Sequence, residues 1–199
     1  NDPRRAKVRL ATEQMKIHMD RIFAEGYFKT GIWNNEQAGK STTPGTGEFW
    51  QFDNANFDAI GFFGGLRTQM MKEGRRRPNV LALGVEAYEG LKKNPDILDR
   101  VKYSGSTANP ATINTNVLAQ LLEIERIVVL NSTYNKGAYG VTDMDFICDP
   151  KAALLCYANP TPSVDEASAG YTFAWDMLGN GQYLAFDQWE GEKGTHTEF

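Results

Sequence analysis

The residues able to do chemistry are few and scattered. Gly39-Lys40-Ser41-Thr42 has the ending of a phosphate-binding loop. The complete pattern needs a Gly where this chain has Asn34, with a buried strand leading in and a helix leading out. Pro44 obstructs that helix. Gly61-Phe62-Phe63-Gly64-Gly65 lies inside a helical pattern, not after a strand, so it lacks the dinucleotide fingerprint and reads as packing. The two histidines are His18 and His196. Ser-His catalysis would have to recruit one of them, and no Gly-x-Ser-x-Gly elbow is present. Asp143, Asp145 and Asp149 offer oxygen ligands of the kind Mg²⁺ or Ca²⁺ takes. They lack the alternation and terminal Glu of a calcium loop, so a solvated acidic turn is expected, as it is for Glu190, Glu192 and Glu198. Cys148 and Cys156, with two histidines, make a poor set for four-coordinate zinc and read as buried thiols. Arg75-Arg76-Arg77 has no interleaved aromatics for stacking bases. It reads as exposed, or as pairing with acidic groups of a neighbouring molecule. No catalytic, cofactor-binding or metal-ligating residue is assigned, and no enzymatic activity is expected.

Composition narrows the classes further. The 199 residues are 41% apolar and 23% charged, enough for one domain or two interdigitated ones with a real core. No apolar run approaches the roughly 20 residues that span a bilayer, so no membrane partner is expected. The start, Asn1-Asp2-Pro3-Arg4-Arg5, has no apolar stretch of the secretory kind. With no initiator Met and an abrupt end at Phe199, the sequence reads as a fragment. The net charge of −4 is divided unevenly. Residues 1–100 hold 16 Lys/Arg against 13 Asp/Glu, and residues 101–199 hold 5 against 12. The acidic second half is a poor grip for DNA phosphates. Unlike surfaces of neighbouring copies could attract across this division.

The elements follow from periodicity. Residues 3–25 predict a long helix, with Asp2 as cap, Gly26 as stop, and Val8, Ala11, Met15, Met19, Ile22 and Phe23 on one face. Tyr27–Trp33 predicts a strand, and residues 34–48 a polar connector. A second helix is expected from Asp53 or Asn54 to Glu73, with Met70 and Met71 inward. Its Gly61, Gly64 and Gly65 cost about 1 kcal/mol each relative to Ala, so they imply a bend or the close approach of another backbone. Then come a strand at Asn79–Leu83, helices at Val85–Lys93 and Asp96–Val101, a loop at 104–112, a helix at Asn116–Ile124 and a strand at Ile127–Leu130. Phe146–Cys148 and Ala152–Tyr157 are expected to pair through the turn Asp149-Pro150-Lys151. Tyr171–Trp175 and Tyr183–Trp189 alternate like strands. This order predicts an α+β protein.

One stretch is more specific than periodicity. Gly74-Arg75-Arg76-Arg77-Pro78-Asn79-Val80-Leu81-Ala82-Leu83-Gly84, followed by Asn94-Pro95-Asp96-Ile97-Leu98-Asp99-Arg100-Val101-Lys102-Tyr103, resembles a segment of tailed-phage and prophage major capsid proteins of the Hong Kong 97-like fold. Tyr27–Trp33, Leu118–Leu122, Arg126–Leu130 and Ala152–Tyr157 are similar in the same order, so the resemblance covers nearly the whole chain.

The resemblance implies a layout. Residues 1–47 would be an N-terminal arm and extended loop. Residues 48–77 with 161–199 would form a peripheral domain around a spine helix at 53–73, and 78–160 an axial domain. The family's final strand would lie beyond Phe199. The implied function is a structural head protein of a virion, assembled in the bacterial host cytoplasm. It would self-assemble through pentamers and hexamers into an icosahedral shell around double-stranded DNA, without sequence specificity. An encapsulin-like compartment shell is the alternative on the same fold. A small hydrolase or nucleotide-binding enzyme is the alternative from another class.

Overall fold

The computed structural model describes residues 3–104, 113–163, 165–173, 187–191 and 194–198. It is a mixed helix-and-strand protein. The helices are α1 (Pro3–Tyr27), α2 (Ala59–Gly74), α3 (Val85–Lys93), α4 (Pro95–Ser104) and α5 (Thr115–Leu121). The strands are β1 (Ala38–Lys40), β2 (Glu48–Trp50), β3 (Val80–Gly84), β4 (Arg126–Leu130), β5 (Thr133–Asn135), β6 (Met144–Phe146), β7 (Ala153–Cys156), β8 (Asp187–Gly191) and β9 (Gly194–Glu198). Asp2, the expected cap of α1, most of the loop at 104–112, and residues 174–175 and 183–186 of the two expected C-terminal strands lie outside the described residues.

A three-stranded sheet in the order β4-β3-β7 organises the body. β3 runs parallel to β4 and antiparallel to β7, placing Leu81 beside both Ile127 and Leu155. Side chains alternate across a strand. Leu81, Leu83 and Ile127 therefore enter one core with Phe63, Leu91, Ile97 and Leu118 from the helices. Ala82 and Leu154 face the other way, onto Ala24 and Phe28 at the end of α1. The apolar run Val80–Leu83 has both faces covered, which is why it shows no polar alternation.

Irregular segments are fixed by a few polar side chains. Asn94 is fully buried and has partners on both sides of its amide. Its Nδ2 donates to the Phe52 and Phe57 carbonyls at 3.0 and 3.1 Å. Its Oδ1 accepts from the Asp96 and Ile97 amides, capping α4. This corrects the expected start of α2. Residues 52–57 are held as turns, with Asn54 Oδ1 taking the Asn56 amide, and the helix begins only after Asp58. Asp58 is the cap and accepts from the Gly61 amide at 2.9 Å. A Cβ on Gly61 would lie 2.2 Å from that carboxylate, so this glycine makes room for its own helix's cap and not for a distant backbone. The helix runs to Gly74, one residue past the expected end at Glu73, and is closed by Arg75 in the left-handed region (φ 53°).

Two further expectations are corrected. The aromatic stretch Tyr27–Trp33 is not a strand. α1 runs through Gly26 to Tyr27, whose carbonyl accepts from the Trp33 indole at 2.8 Å. Gly31, at φ 92°, then bends the chain so that the amides of Gly31, Ile32 and Trp33 converge on the Glu36 carboxylate at 2.8 to 3.1 Å. These bonds make an elbow and hold the Glu36 pKa below the ordinary glutamate value. Nor do the segments flanking Asp149–Lys151 pair with each other. β6 pairs with β5, and β7 with β3. The turn itself forms, but it is packed over the start of α3. The Pro150 carbonyl accepts from the Ala87 amide, supplying the cap that α3 lacks from any side chain. A Cβ on Gly84 would meet the Asp149 and Pro150 backbone at 2.4 Å. Tyr171–Phe173, the described part of another expected strand, lies outside any strand.

Three outcomes test these contacts. Asn94→Ala leaves the Phe52 and Phe57 carbonyls and the start of α4 without their partner. It should lower unfolding free energy by about 2 to 3 kcal/mol in urea titration. Gly84→Ala, with rigid backbone on the other side of the clash, should destabilise more than Gly65→Ala, where the new Cβ meets nothing within 4 Å. Glu36 has a depressed folded pKa, so its support of the elbow is complete above the ordinary glutamate range and is lost as pH falls through the depressed value. Hydrogen exchange at Gly31, Ile32 and Trp33, normalised to intrinsic rates, should accelerate with acid and in Glu36→Gln at neutral pH.

Candidate interaction surface

α1 is a 25-residue helix that the chain itself barely covers. From Arg5 to Tyr27 its only buried residue is Ala24. The expected buried face is incompletely covered. Ile22 is 55% exposed, and Val8, Ala11, Met15 and Met19 are all only partly covered. Among the described residues its buried contacts lie in the last turns. There Ala24 and Phe28 meet Ala82 and Cys148, Phe23 stacks on Tyr27 and Phe28, and the Arg21 guanidinium sits 5.3 Å over the Tyr134 ring. The rest of the helix projects as an arm.

α2 behaves the same way at its other end. Its first turns carry Ala59 and Phe63 into the core, within a cluster that includes Phe49, Phe52, Phe57 and Phe62. From Thr68 onward no residue of the helix is buried. Met71, expected inward, is 44% exposed. The elbow reaches this end through Asn35, whose Nδ2 donates to Glu73 at 3.1 Å. Between the elbow, α2 and β7 lies an open hollow of about 1940 Å³. The hairpin of β5 and β6 projects Tyr139, Val141 and Met144, all well exposed.

Two residues of the arginine run make contacts within the chain. Arg77 donates to the Glu123 carbonyl at 3.0 Å, and Arg67 of α2 pairs with the Glu123 carboxylate. Arg76 lies 5.7 Å over the Tyr157 ring. Arg75, Arg76 and Arg77 are all exposed, as expected, and Arg76 and Arg77 make these contacts within the chain as well. Glu123, in the left-handed region at φ 51°, ties the end of α5 to α2. The two arginines hold its pKa below the ordinary value.

The remaining chemical candidates are occupied structurally. Gly39 and Lys40 lie in β1, paired in parallel with β2, and Lys40 bridges to Glu48 at 3.3 Å. No helix follows to make a phosphate loop. Asp145 and Asp143 face Lys136 at 2.9 and 3.9 Å across the β5–β6 hairpin, and Asp149 accepts from the Lys151 amide. Among the described residues no group of three or more His, Cys, Asp or Glu gathers as metal ligands would. His18 is exposed on α1, and the His196 side chain lies outside the described residues. Cys148 and Cys156 are free thiols, the first buried and the second half-buried. Burial pushes both pKa values up, which makes them poor nucleophiles. The carboxylates around the hollow, Glu36, Glu48 and Glu73, are held ionised by hydrogen bonds and are poor proton donors near neutrality. No described helix is long and apolar enough to cross a membrane.

The residues that shape this surface had uneven signals in the sequence. Asn94 stands before a proline and two residues before an acid, a recognisable cap, yet it reads first as a helix breaker. Glu36 and Glu123 carry no local signal, because their partners are backbone amides in a bend and arginines 46 and 56 positions away.

No family model matches the chain. It is 24% identical over 139 residues to the major capsid protein of Burkholderia phage BcepMu, a match taking in 70% of this chain and 42% of that protein. Its fold matches the crystal structure of a phage-related protein from Bordetella bronchiseptica RB50, with a TM-score of 0.68 at 23% identity. That match covers 84% of this chain and 52% of the other. The chain thus spans about half, or less, of the proteins it matches. It shares its fold with a phage-related protein and is distantly similar in sequence to a phage major capsid protein.

Proposed function

We propose that this chain is the core of a tailed-phage or prophage major capsid subunit with the Hong Kong 97-like fold, and that its work is structural. The observation that carries the reading is the incompletely covered apolar surface of α1, with Leu10 and Ile22 more than half exposed, together with the unburied second half of α2 and the exposed hairpin tip. A stable monomer has no use for a helix docked only by its last turns, because apolar side chains left in water forgo the main favourable term in folding. A subunit that completes its packing against copies of itself does. The distant similarity to a capsid protein supports the same conclusion.

In this reading residues 1–47 are the arm and extended loop. Residues 48–77 with 161–199 form the peripheral domain around α2, and 78–160 form the axial domain. Other copies are the principal partners, in pentamers and hexamers of an icosahedral shell. Double-stranded DNA is enclosed without sequence readout, in keeping with the acidic second half. The subunit would reside in the virion and assemble in the host cytoplasm. Each contact can be weak, since a closed shell repeats it many times.

Negative-stain electron microscopy of the protein carrying its complete flanking sequence tests this. Closed shells, or isolated pentamers and hexamers, are expected. A protein that stays monomeric by light scattering at tens of micromolar, and shows only monomer-sized particles, would refute the reading.

A further inference from the structure

Arg75, Arg76 and Arg77 follow α2 in a turn whose first residue is left-handed, so three forked side chains leave the backbone within one bend. All three are exposed. Arg77 is tied to Glu123: its Nη2 donates to the carbonyl at 3.0 Å and lies 3.7 Å from the carboxylate. Arg76 rests 5.7 Å over the Tyr157 ring, a contact that fills no oxygen acceptor. Among the described residues neither Arg75 nor Arg76 has a side-chain hydrogen bond or ion pair, so each keeps its five N–H donors. The three line a cleft of about 520 Å³ with Gln120, Glu123 and Glu125, from the end of α5 and the turn after it.

Charge in the two segments that build this cleft runs against the chain as a whole. Residues 67–79 and 119–126 together carry six Lys/Arg and three Asp/Glu, a net of +3 in a protein of net −4. Glu123 is already engaged by Arg67 and Arg77. The surplus is therefore cationic, and Arg75 and Arg76 present it.

We propose that the Arg75–Arg77 turn is a contact for the phosphate backbone of double-stranded DNA. The inference deepens the capsid reading and rests on it for the presence of DNA beside the subunit. The surplus charge calls for an anion, and guanidinium groups offer planar, paired donors that fit phosphate oxygens. Tyr157, the aromatic residue lining the cleft, has a guanidinium over its ring, which leaves it a poor platform for an unstacked base. A duplex is the better fit. It presents about one charge per 1.7 Å of its axis whatever its sequence, so a compact set of cations meets phosphates in any register. Such a contact carries no sequence readout. It is weak in one copy and gains its effect by repetition over many.

Placement separates this turn from the other cationic stretch. Arg5, Lys7 and Arg9 spread around an exposed helix, with no partner among the described residues to order them. Arg76 and Arg77 are already held by Tyr157 and Glu123, so less side-chain freedom is lost when an anion binds.

Fluorescence anisotropy with a short labelled duplex tests the site, using unassembled protein with its complete flanking sequence at low ionic strength. Binding should fall steeply with salt and be equal for two unrelated duplexes. Arg75→Gln, which breaks no side-chain contact, should lower the slope of log affinity against log salt by about 0.9, and the double variant with Arg76→Gln by about 2. Unchanged circular dichroism checks the fold. Arg5→Gln with Arg9→Gln should leave the slope as it was. Failure of the unsubstituted chain to bind the duplex, an unchanged slope in the turn variants, or an equal loss in the α1 variant would overturn the proposal. So would a turn variant that binds DNA normally but no longer assembles, which assigns the arginines to acidic groups of a second copy. Shells that form while the turn variants keep their DNA affinity would reject this contact and leave the capsid reading intact. A slope lost with the turn, in a protein that never forms shells or capsomers, would keep the contact and refute that reading.

Discussion

Apolar surface has to be covered, and a helix that is apolar on two opposite sides cannot be satisfied by one surface. α1 is such a helix. Ala24 near its end lies on the back of the β4-β3-β7 sheet, while Leu10 and Ile22 are more than half exposed and Val8, Met15 and Met19 are only partly covered. The body is arranged around that fact. The sheet has a core face filled by α2 to α5 and a second face reserved for Ala24 and Phe28. A three-stranded sheet whose central strand is apolar on both faces needs both layers, so the anchored end of α1 is as much a part of the fold as the core helices are.

What directs the projecting segments is a small number of polar side chains acting on backbone. Glu36 gathers three amides and sets the angle at which the chain leaves α1. Asn94 gathers two carbonyls and two amides, holding the turns that precede α2 and capping α4. Asn79 does the same at the exit of β7, taking the Ala158 amide and giving to its carbonyl. Each is a short side chain standing in for a missing turn of secondary structure. In the proposed shell, such nodes let long segments reach a neighbour without being slack, since the bend that aims them is hydrogen-bonded and not merely flexible.

In the proposed shell, the arrangement of charge would serve association between copies. The carboxylates with shifted pKa values are all shifted downward, by amides, by lysines or by arginines, and none is poised to move a proton near neutrality. The cations of α1 stand at its projecting end, while the second half of the chain is acidic. Repeated subunits with separated charge attract in some orientations and repel in others, which favours one register of assembly over its competitors.

The sequence alone determined the elements whose signal is local. The apolar run of β3, the period of α3 and α5, the β-branched stretch of β4 and the long α1 were all legible, because each depends on neighbours within a turn or a strand's length. The order of motifs also carried the resemblance to capsid proteins. Tertiary structure decided the rest. It turned Tyr27–Trp33 from an alternating stretch into an elbow, moved the start of α2 from Asp53 to Ala59, and sent β7 to β3 instead of to its sequence neighbour. It also left the apolar stripe of α1 only partly covered, a fact invisible to periodicity. A stripe records that a face must be buried, but not whether the chain itself or another copy does the burying. That choice is made by the shape of the whole body, which no local window contains.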